Sequence, residues 1–178
     1  MYYTHIINNK QRFTQEYYLK PTLEVAQDLL GKIIVCGKHA GIITETEAYI
    51  GADDPACHAA RGKTKSNAHM FLAGGHSYVY FIYGMYHCLN IVTEAEDFPA
   101  AVLIRGIKLV TEPYLHLDGP GKLCKFLGIN KEHSSVNLAE SNYLYLLDSM
   151  EKPNFTTYPR VAISAGKDKL WRFVVEND

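Results

Sequence analysis

Hydrophobic positions along the chain fall into two rhythms, near-helical in a few short stretches and strictly alternating in many more. Leu23, Ala26, Leu29 and Leu30 form a helical stripe that predicts a helix over 22–30. Thr22 is placed to cap it, Glu24 suits the positive end of its dipole, and Gly31 is placed to stop it. Two strands follow, 32–36 and 41–49, joined by a turn at Gly37-Lys38. Alternation in the second sets Ile43, Glu45, Glu47 and Tyr49 on one face and Thr44, Thr46 and Ala48 on the other. Residues 50–76 lose all periodicity and carry Gly51, Pro55, Gly62, Gly74 and Gly75, so they read as one long irregular connection, more often functional than idle.

Strands resume at 78–83 and 86–92, separated by Gly84-Met85, and again at 100–107. Gly119-Pro120-Gly121 opens a helix through Leu127, and a short helix is expected near 137–140. Strands at 143–147, 160–164 and 171–175 complete the pattern. Hairpin-like strands interrupted by a few helices indicate the α+β class with a largely antiparallel sheet. No repeat, low-complexity tract or linker divides residues 1–178, which are expected to form a single domain.

Composition narrows the function classes. With 47% hydrophobic and 21% charged residues the chain is ordinary globular protein. It has no stretch of the roughly 20 apolar residues that span a bilayer. Met1 to Arg12 is polar and lacks the order of a signal peptide. The expected location is cytoplasmic, at the nucleoid, or nuclear in a eukaryotic cell, with no membrane partner. Cys36, Cys57, Cys88 and Cys124 lie far apart without a CxxC pair, so reduced, buried thiols are expected and no metal site is. A net charge of −1 argues against coating nucleic acid by bulk charge. Arg61, Lys63 and Lys65 nevertheless form a basic run inside the irregular connection.

Two segments hold candidate chemistry. Glu45 and Glu47 share the face of a strand that ends near Tyr49 and His58, and paired acids beside a core are costly unless used or neutralised. A carboxylate held there can serve as a general base, or simply pair with basic side chains. In Tyr78 to Asn90, Tyr78, Phe81 and Ile82 suit a core strand. Tyr83, Met85 and Tyr86 surround Gly84 at a tip, where large rings suit stacking on bases or wedging into a duplex. Gly119-Pro120-Gly121-Lys122 is no phosphate loop, but its helix N-terminus can meet a phosphate.

Taken together, ETEAYIG at 45–51, YVYFIYGMYHCLN at 78–90, VLIRGI at 102–107 and GPGKLCKFLGI at 119–129 resemble the alkyladenine (3-methyladenine) DNA glycosylase family, in order and over most of the chain. The resemblance implies a curved antiparallel sheet with a base pocket beside a protruding β-hairpin. It implies that Glu47 is the general base and that Arg105 helps place Glu47 and its water. Tyr49, His58 and Tyr80 fall on the positions that sandwich and hydrogen-bond the flipped base, Asn90 on the one that disfavours the extra amino group of guanine, and Tyr83 on the one that fills the gap in the stack. Met85, Tyr86 and Lys122 are further candidate DNA contacts. The basic run 61–65 departs from the family's loop.

The activity so implied is release of alkylated or deaminated purines from double-stranded DNA by a monomer, without cofactor, metal or lyase step. Glu45 is expected to be a supporting or structural acid rather than a second catalyst. Two rival readings are a metal-dependent nuclease using Glu45, Glu47, Asp53 and His58, and a silent binding module that recognises distorted DNA through Tyr83.

Overall fold

The computed structural model describes residues 7–176; the reading of the N-terminal stretch falls in part on residues 1–6, outside the described residues. Two long strands form the spine: β3 (His39–Ile50) and β6 (Ala100–Leu109), paired antiparallel along almost their whole length. Around them run β1 (Gln11–Arg12), β2 (Ile33–Cys36), β4 (Ser77–Ile82), β5 (Tyr86–Val92), β7 (His116–Asp118), β8 (Leu144–Asp148), β9 (Phe155–Tyr158) and β10 (Arg172–Val175). They make one ten-stranded sheet in the order β1-β8-β2-β3-β6-β5-β4, with β10 on β3, β9 on β10 and β7 on β6. Every pairing is antiparallel, and the sheet curls into a half-barrel of the α+β class.

The curl has a local cause. Ile43 pairs with Ile107, Glu45 with Gly106 and Thr46 with Ile104, so Thr44 and Arg105 are the extra residues of an irregular ladder. Such bulges bend and twist a strand. At this point both spine strands change outer partners. β3 leaves β2, which pairs with residues 39–42, and takes up β10 at 45–47. β6 pairs with β5 at 101–103 and with β7 at 106–108.

The same irregularity corrects the expected alternation. Ile43 does not share a face with Glu45, Glu47 and Tyr49: it lies in the main core with Ala48, because the extra residue shifts the phase of the strand. The main core lies between this sheet face and the helices α2 (Thr22–Asp28) and α3 (Pro120–Leu127), with α1 (Gln15–Tyr18) contributing Tyr17 and Tyr18. The opposite face carries a smaller cluster of Cys57, Ala59, Met70, Tyr78, Val92 and Ala101.

Several other expectations change. Thr22 is the first residue of α2 and does not cap it; Glu94, 72 positions on in sequence, accepts from both the Thr22 backbone N–H and its hydroxyl. Residues 137–140 are a bridge and a turn; a short 3₁₀ helix forms instead at Lys131–His133, capped by Asn130. Residues 160–164 are not a strand. Arg160 is held away from any ladder by a buried carboxylate, and the strand in this region is β9, a few residues earlier. Phe81 is exposed, since alternation along β4 turns it away from the face carrying Tyr78 and Tyr80. The connection 50–76 is largely irregular, with one 3₁₀ turn at Ala68–Phe71. All four cysteines are free and buried.

Candidate active site

One row across the sheet builds the floor of the site. Glu47 pairs with Leu103, Leu103 with Asn90 and Asn90 with Tyr78, and directly opposed residues of an antiparallel sheet share a face. Tyr49 follows Glu47 on the same face two residues on, and Tyr80 follows Tyr78 opposite Cys88. All of these side chains except Glu47 border a cavity of about 510 Å³, within the usual size range of small-ligand pockets. Tyr49, His58, Tyr80, Asn90 and Arg105 all line it.

Glu47 lies beneath that floor with 0% exposure. Its Oε2 accepts from the Tyr49 hydroxyl at 2.8 Å and its Oε1 from the Val161 backbone N–H at 2.7 Å. Arg105 Nε stands 3.6 Å from Oε1. Burial raises the carboxyl above its ordinary pKa, with Arg105 and the two hydrogen bonds opposing. The Tyr49 phenol is pushed up strongly by burial and by the Glu47 charge, so it stays a donor. Arg105 Nε donates to Glu45 Oε1 at 3.0 Å, and Arg172 Nε donates to the same oxygen at 2.7 Å.

The aromatic wall is fixed from behind. The His58 and Tyr80 rings meet edge to face with centroids 4.2 Å apart, and His58 Nδ1 is 3.2 Å from the Tyr78 hydroxyl. Partial burial lowers the His58 pKa, which favours the neutral imidazole. Asn90 is 3% exposed and its Nδ2 donates to the carbonyls of Tyr78 and Cys88 at 3.2 and 3.4 Å, so it cannot swing aside.

The hairpin between β4 and β5 ends beside this cavity. Met85 N–H donates to the Ile82 carbonyl, and Tyr83 and Gly84 both have positive φ, 54° and 66°, the pattern of a type I′ turn. Tyr83 and Met85 are 70% and 64% exposed, large apolar groups left in water. Tyr86 packs its ring over Gly121, where any Cβ would stand 2.8 Å from the ring, so the hairpin is braced against the start of α3. Lys122 borders the same cavity with its ammonium 2.7 Å from Asp118.

Other parts of the site had no signal in sequence. Asp54 and Arg160 form a wholly buried bidentate pair at 2.6 and 2.8 Å, and Arg160 also donates to the Ala48 carbonyl. The guanidinium lies 4.7 Å from the Tyr49 ring and 5.1 Å from the Trp171 ring. Burial alone would raise Asp54, but hydrogen bonds and charge from Arg160 outweigh it and hold its pKa below the ordinary value. This pair anchors the turn that delivers Val161. Asp53, by contrast, is exposed, and no three His, Cys, Asp or Glu side chains converge among the described residues.

A buried carboxylate thus lies under a sheet-lined pocket walled by aromatic rings, beside an exposed aromatic hairpin. The family model for methylpurine-DNA glycosylase matches residues 16–178, and the chain belongs to that family. It is 55% identical over 160 residues to a Sodalis glossinidius protein, covering 90% of this chain and 94% of that one. It is 56% identical over 165 residues to a protein of Wolbachia pipientis from Culex pipiens, covering 93% and 90%. A third relative, from the Wolbachia of Brugia malayi, is 53% identical over 167 residues, covering 94% and 99%. All three bear the name "Putative 3-methyladenine DNA glycosylase".

Proposed function

We propose that the protein is a monofunctional DNA glycosylase that extrudes a damaged purine from duplex DNA and hydrolyses its N-glycosidic bond with water activated by Glu47. One observation carries the reading: the carboxylate of Glu47 is withdrawn from solvent, raised in pKa and fixed by two donors just beneath the floor of an aromatic cavity. A general base works best when its pKa approaches the working pH, and burial moves a carboxyl in that direction.

Extruding a base costs a few kcal/mol. Tyr83 offsets part of this by restacking the neighbouring pairs, and Met85, Tyr86 and Lys122 hold the flanking backbone. In the cavity the ring stacks between Tyr49 on one side and His58 and Tyr80 on the other. A methylated, cationic purine is favoured by these π faces and is also the better leaving group. Asn90, fixed to the backbone, opposes the exocyclic amino group of guanine. 3-Methyladenine, 7-methylguanine, hypoxanthine and ethenoadenine form the substrate class.

The C1′–N bond breaks as positive charge builds on the sugar, and the Glu47 carboxylate stabilises that charge. Each of its oxygens keeps a lone pair beyond the bonds to Tyr49 and Val161. The cationic purine keeps the bonding electron pair and leaves as the neutral base; water then adds through its oxygen to C1′ and gives a proton to Glu47, which passes it to solvent to restore the carboxylate. The products are a free base and an abasic site. No lysine stands at the matched catalytic positions, so the step ends in hydrolysis without a Schiff base. The enzyme acts as a monomer in the cytoplasm, at the nucleoid.

The test is release of free base from methylated duplex DNA under single turnover by wild type and Glu47→Gln, with and without EDTA. Release by the wild type in EDTA, lowered at least a hundredfold in the variant, is the expected result. Wild-type release by Glu47→Gln overturns the assignment, and EDTA-sensitive strand cutting without base release supports the nuclease reading.

A further inference from the structure

Glu45 takes no part in the reaction proposed above, yet it is an acid two residues from Glu47 with only 17% of its side chain exposed. One of its oxygens, Oε1, accepts from Arg172 and from Arg105 at 2.7 and 3.0 Å. The Arg105 Nε lies 3.6 Å from Glu47 Oε1, beyond hydrogen-bond range. The guanidinium that faces both acids is thus bonded to Glu45 and only near Glu47.

The backbone is shaped to produce this division. Arg105 is the extra residue on β6 at the ladder irregularity, and Glu45 faces Gly106. A Cβ at Gly106 would stand 2.7 Å from Thr44 Oγ1 and 3.2 Å from the Glu45 Cβ, so the approach of the strands requires glycine there. Bulges beside sites re-aim side chains in this way. Arg172 is fixed independently: it sits on β10 opposite Glu47, its guanidinium 5.2 Å from the Tyr158 ring.

We infer that Glu45, clamped by Arg172, is a positioning residue: it holds Arg105 near enough to steady the charge on Glu47 but out of hydrogen-bond contact with it. The inference rests on Glu47 acting as the base. A closed Arg105–Glu47 pair would stabilise the carboxylate and make it a poorer proton acceptor. Sharing Arg105 with Glu45 preserves basicity, and the negative charge of Glu45 acts in the same sense. The ionisable and charged groups around Glu47 are Tyr49 and Glu45 on β3, Arg105 on β6, Tyr80 on β4, Cys88 on β5, Arg172 on β10 and Arg160 ahead of the Val161 donor. Of these, Glu45 and Arg172 alone act on Arg105 by direct hydrogen bond or through a shared acceptor.

The experiment is the pH dependence of single-turnover base release from methylated duplex DNA by wild type, Glu45→Gln, Arg172→Gln and Glu47→Gln, with thermal unfolding measured alongside. Glu45→Gln frees Arg105 to close on Glu47, so the acid limb should move down by on the order of one pH unit and the plateau rate should fall. Arg172→Gln removes a cation and leaves Glu45 bonded to Arg105 alone, so its acid limb should move up. Opposite shifts support the inference. Unmoved limbs, or shifts of the same sign, overturn it even if both variants melt early, because a merely structural clamp changes melting and not the limb. Should Glu45→Gln fail to fold, an unmoved limb in Arg172→Gln overturns it alone. Loss of release in Glu47→Gln with unmoved limbs leaves the proposed base in place and removes only the clamp; wild-type release in Glu47→Gln removes both.

Discussion

The Val161 backbone N–H donates to Glu47 Oε1 across 114 positions of sequence. The donor is presented by a turn in which Ala162 has φ of 56°, and the turn is held by Arg160 against Asp54 and the Ala48 carbonyl. The surroundings of the carboxylate therefore draw on β3, on the connection that follows it, and on the segment between β9 and β10. Burial and hydrogen bonding of one side chain link three distant parts of the chain.

Removing the charge from Glu47 should not weaken the fold. Its pKa is raised in the folded state, so the stability it contributes is complete below the ordinary carboxylate value and is lost as pH rises through the folded value. Glutamine resembles the protonated acid. Glu47→Gln is expected to melt at or above the wild type at neutral pH, with the two curves converging in acid. A series of thermal melts against pH checks this, and a variant that melts lower at neutral pH contradicts it.

The Asp54–Arg160 pair behaves in the opposite sense. Arg160→Met strands a buried carboxylate and should cost about 3–5 kcal/mol in denaturant unfolding, whereas Asp54→Leu with Arg160→Met together should recover much of that loss. Because the Asp54 pKa is depressed, its contribution is present above the unfolded value and lost as pH falls through the folded one. The cost of Arg160→Met should therefore shrink in acid. An equal cost at all pH values would show that packing, not charge, dominates.

Tyr83 offers a clean separation of binding from stability. It is a non-glycine residue at positive φ with most of its surface in water. Tyr83→Gly should leave unfolding unchanged or raise stability by roughly 0.5 kcal/mol. Affinity for duplex DNA with an abasic analogue should fall by at least tenfold if stacking contributes at its usual strength. Unchanged affinity in an equilibrium titration would remove Tyr83 from the interface.

Asn90 should govern discrimination more than rate. Because both backbone bonds hold it in place, an extra amino group on the purine meets a side chain that cannot yield. Asn90→Ser is expected to improve release of guanine-type bases relative to adenine-type bases by about tenfold. Parallel assays on 7-methylguanine and 3-methyladenine give that ratio, and an unchanged ratio would place selectivity elsewhere in the cavity.

Sequence patterns revealed the strands that carry Glu47, Tyr49, Tyr80 and Asn90 because each lies in a run whose period declares its faces. Tyr83 was legible too, since large rings around Gly84 make poor core. The phase shift at Thr44 was not, for a single extra residue leaves an alternating string looking regular while it turns Ile43 to the other side. Val161 contributes a backbone N–H, which every residue but proline possesses, so no residue type could announce it. Arg-Val-Ala-Ile-Ser reads as a strand until Asp54, 106 positions away, fixes the arginine, and only the folded chain brings the two together. β7 is three residues long, too short for any period to show.

Gly106 touches no ligand, yet it governs how closely the two spine strands approach beside the acids. Mutational tolerance in this protein should therefore run against proximity to substrate. The exposed rings of the hairpin can change with the fold intact, whereas one added methyl at a silent position would push the strands apart and move Glu45 and Arg105 together. A survey of variants that scored only residues facing the cavity would miss a position where one added methyl acts on the geometry of the acids.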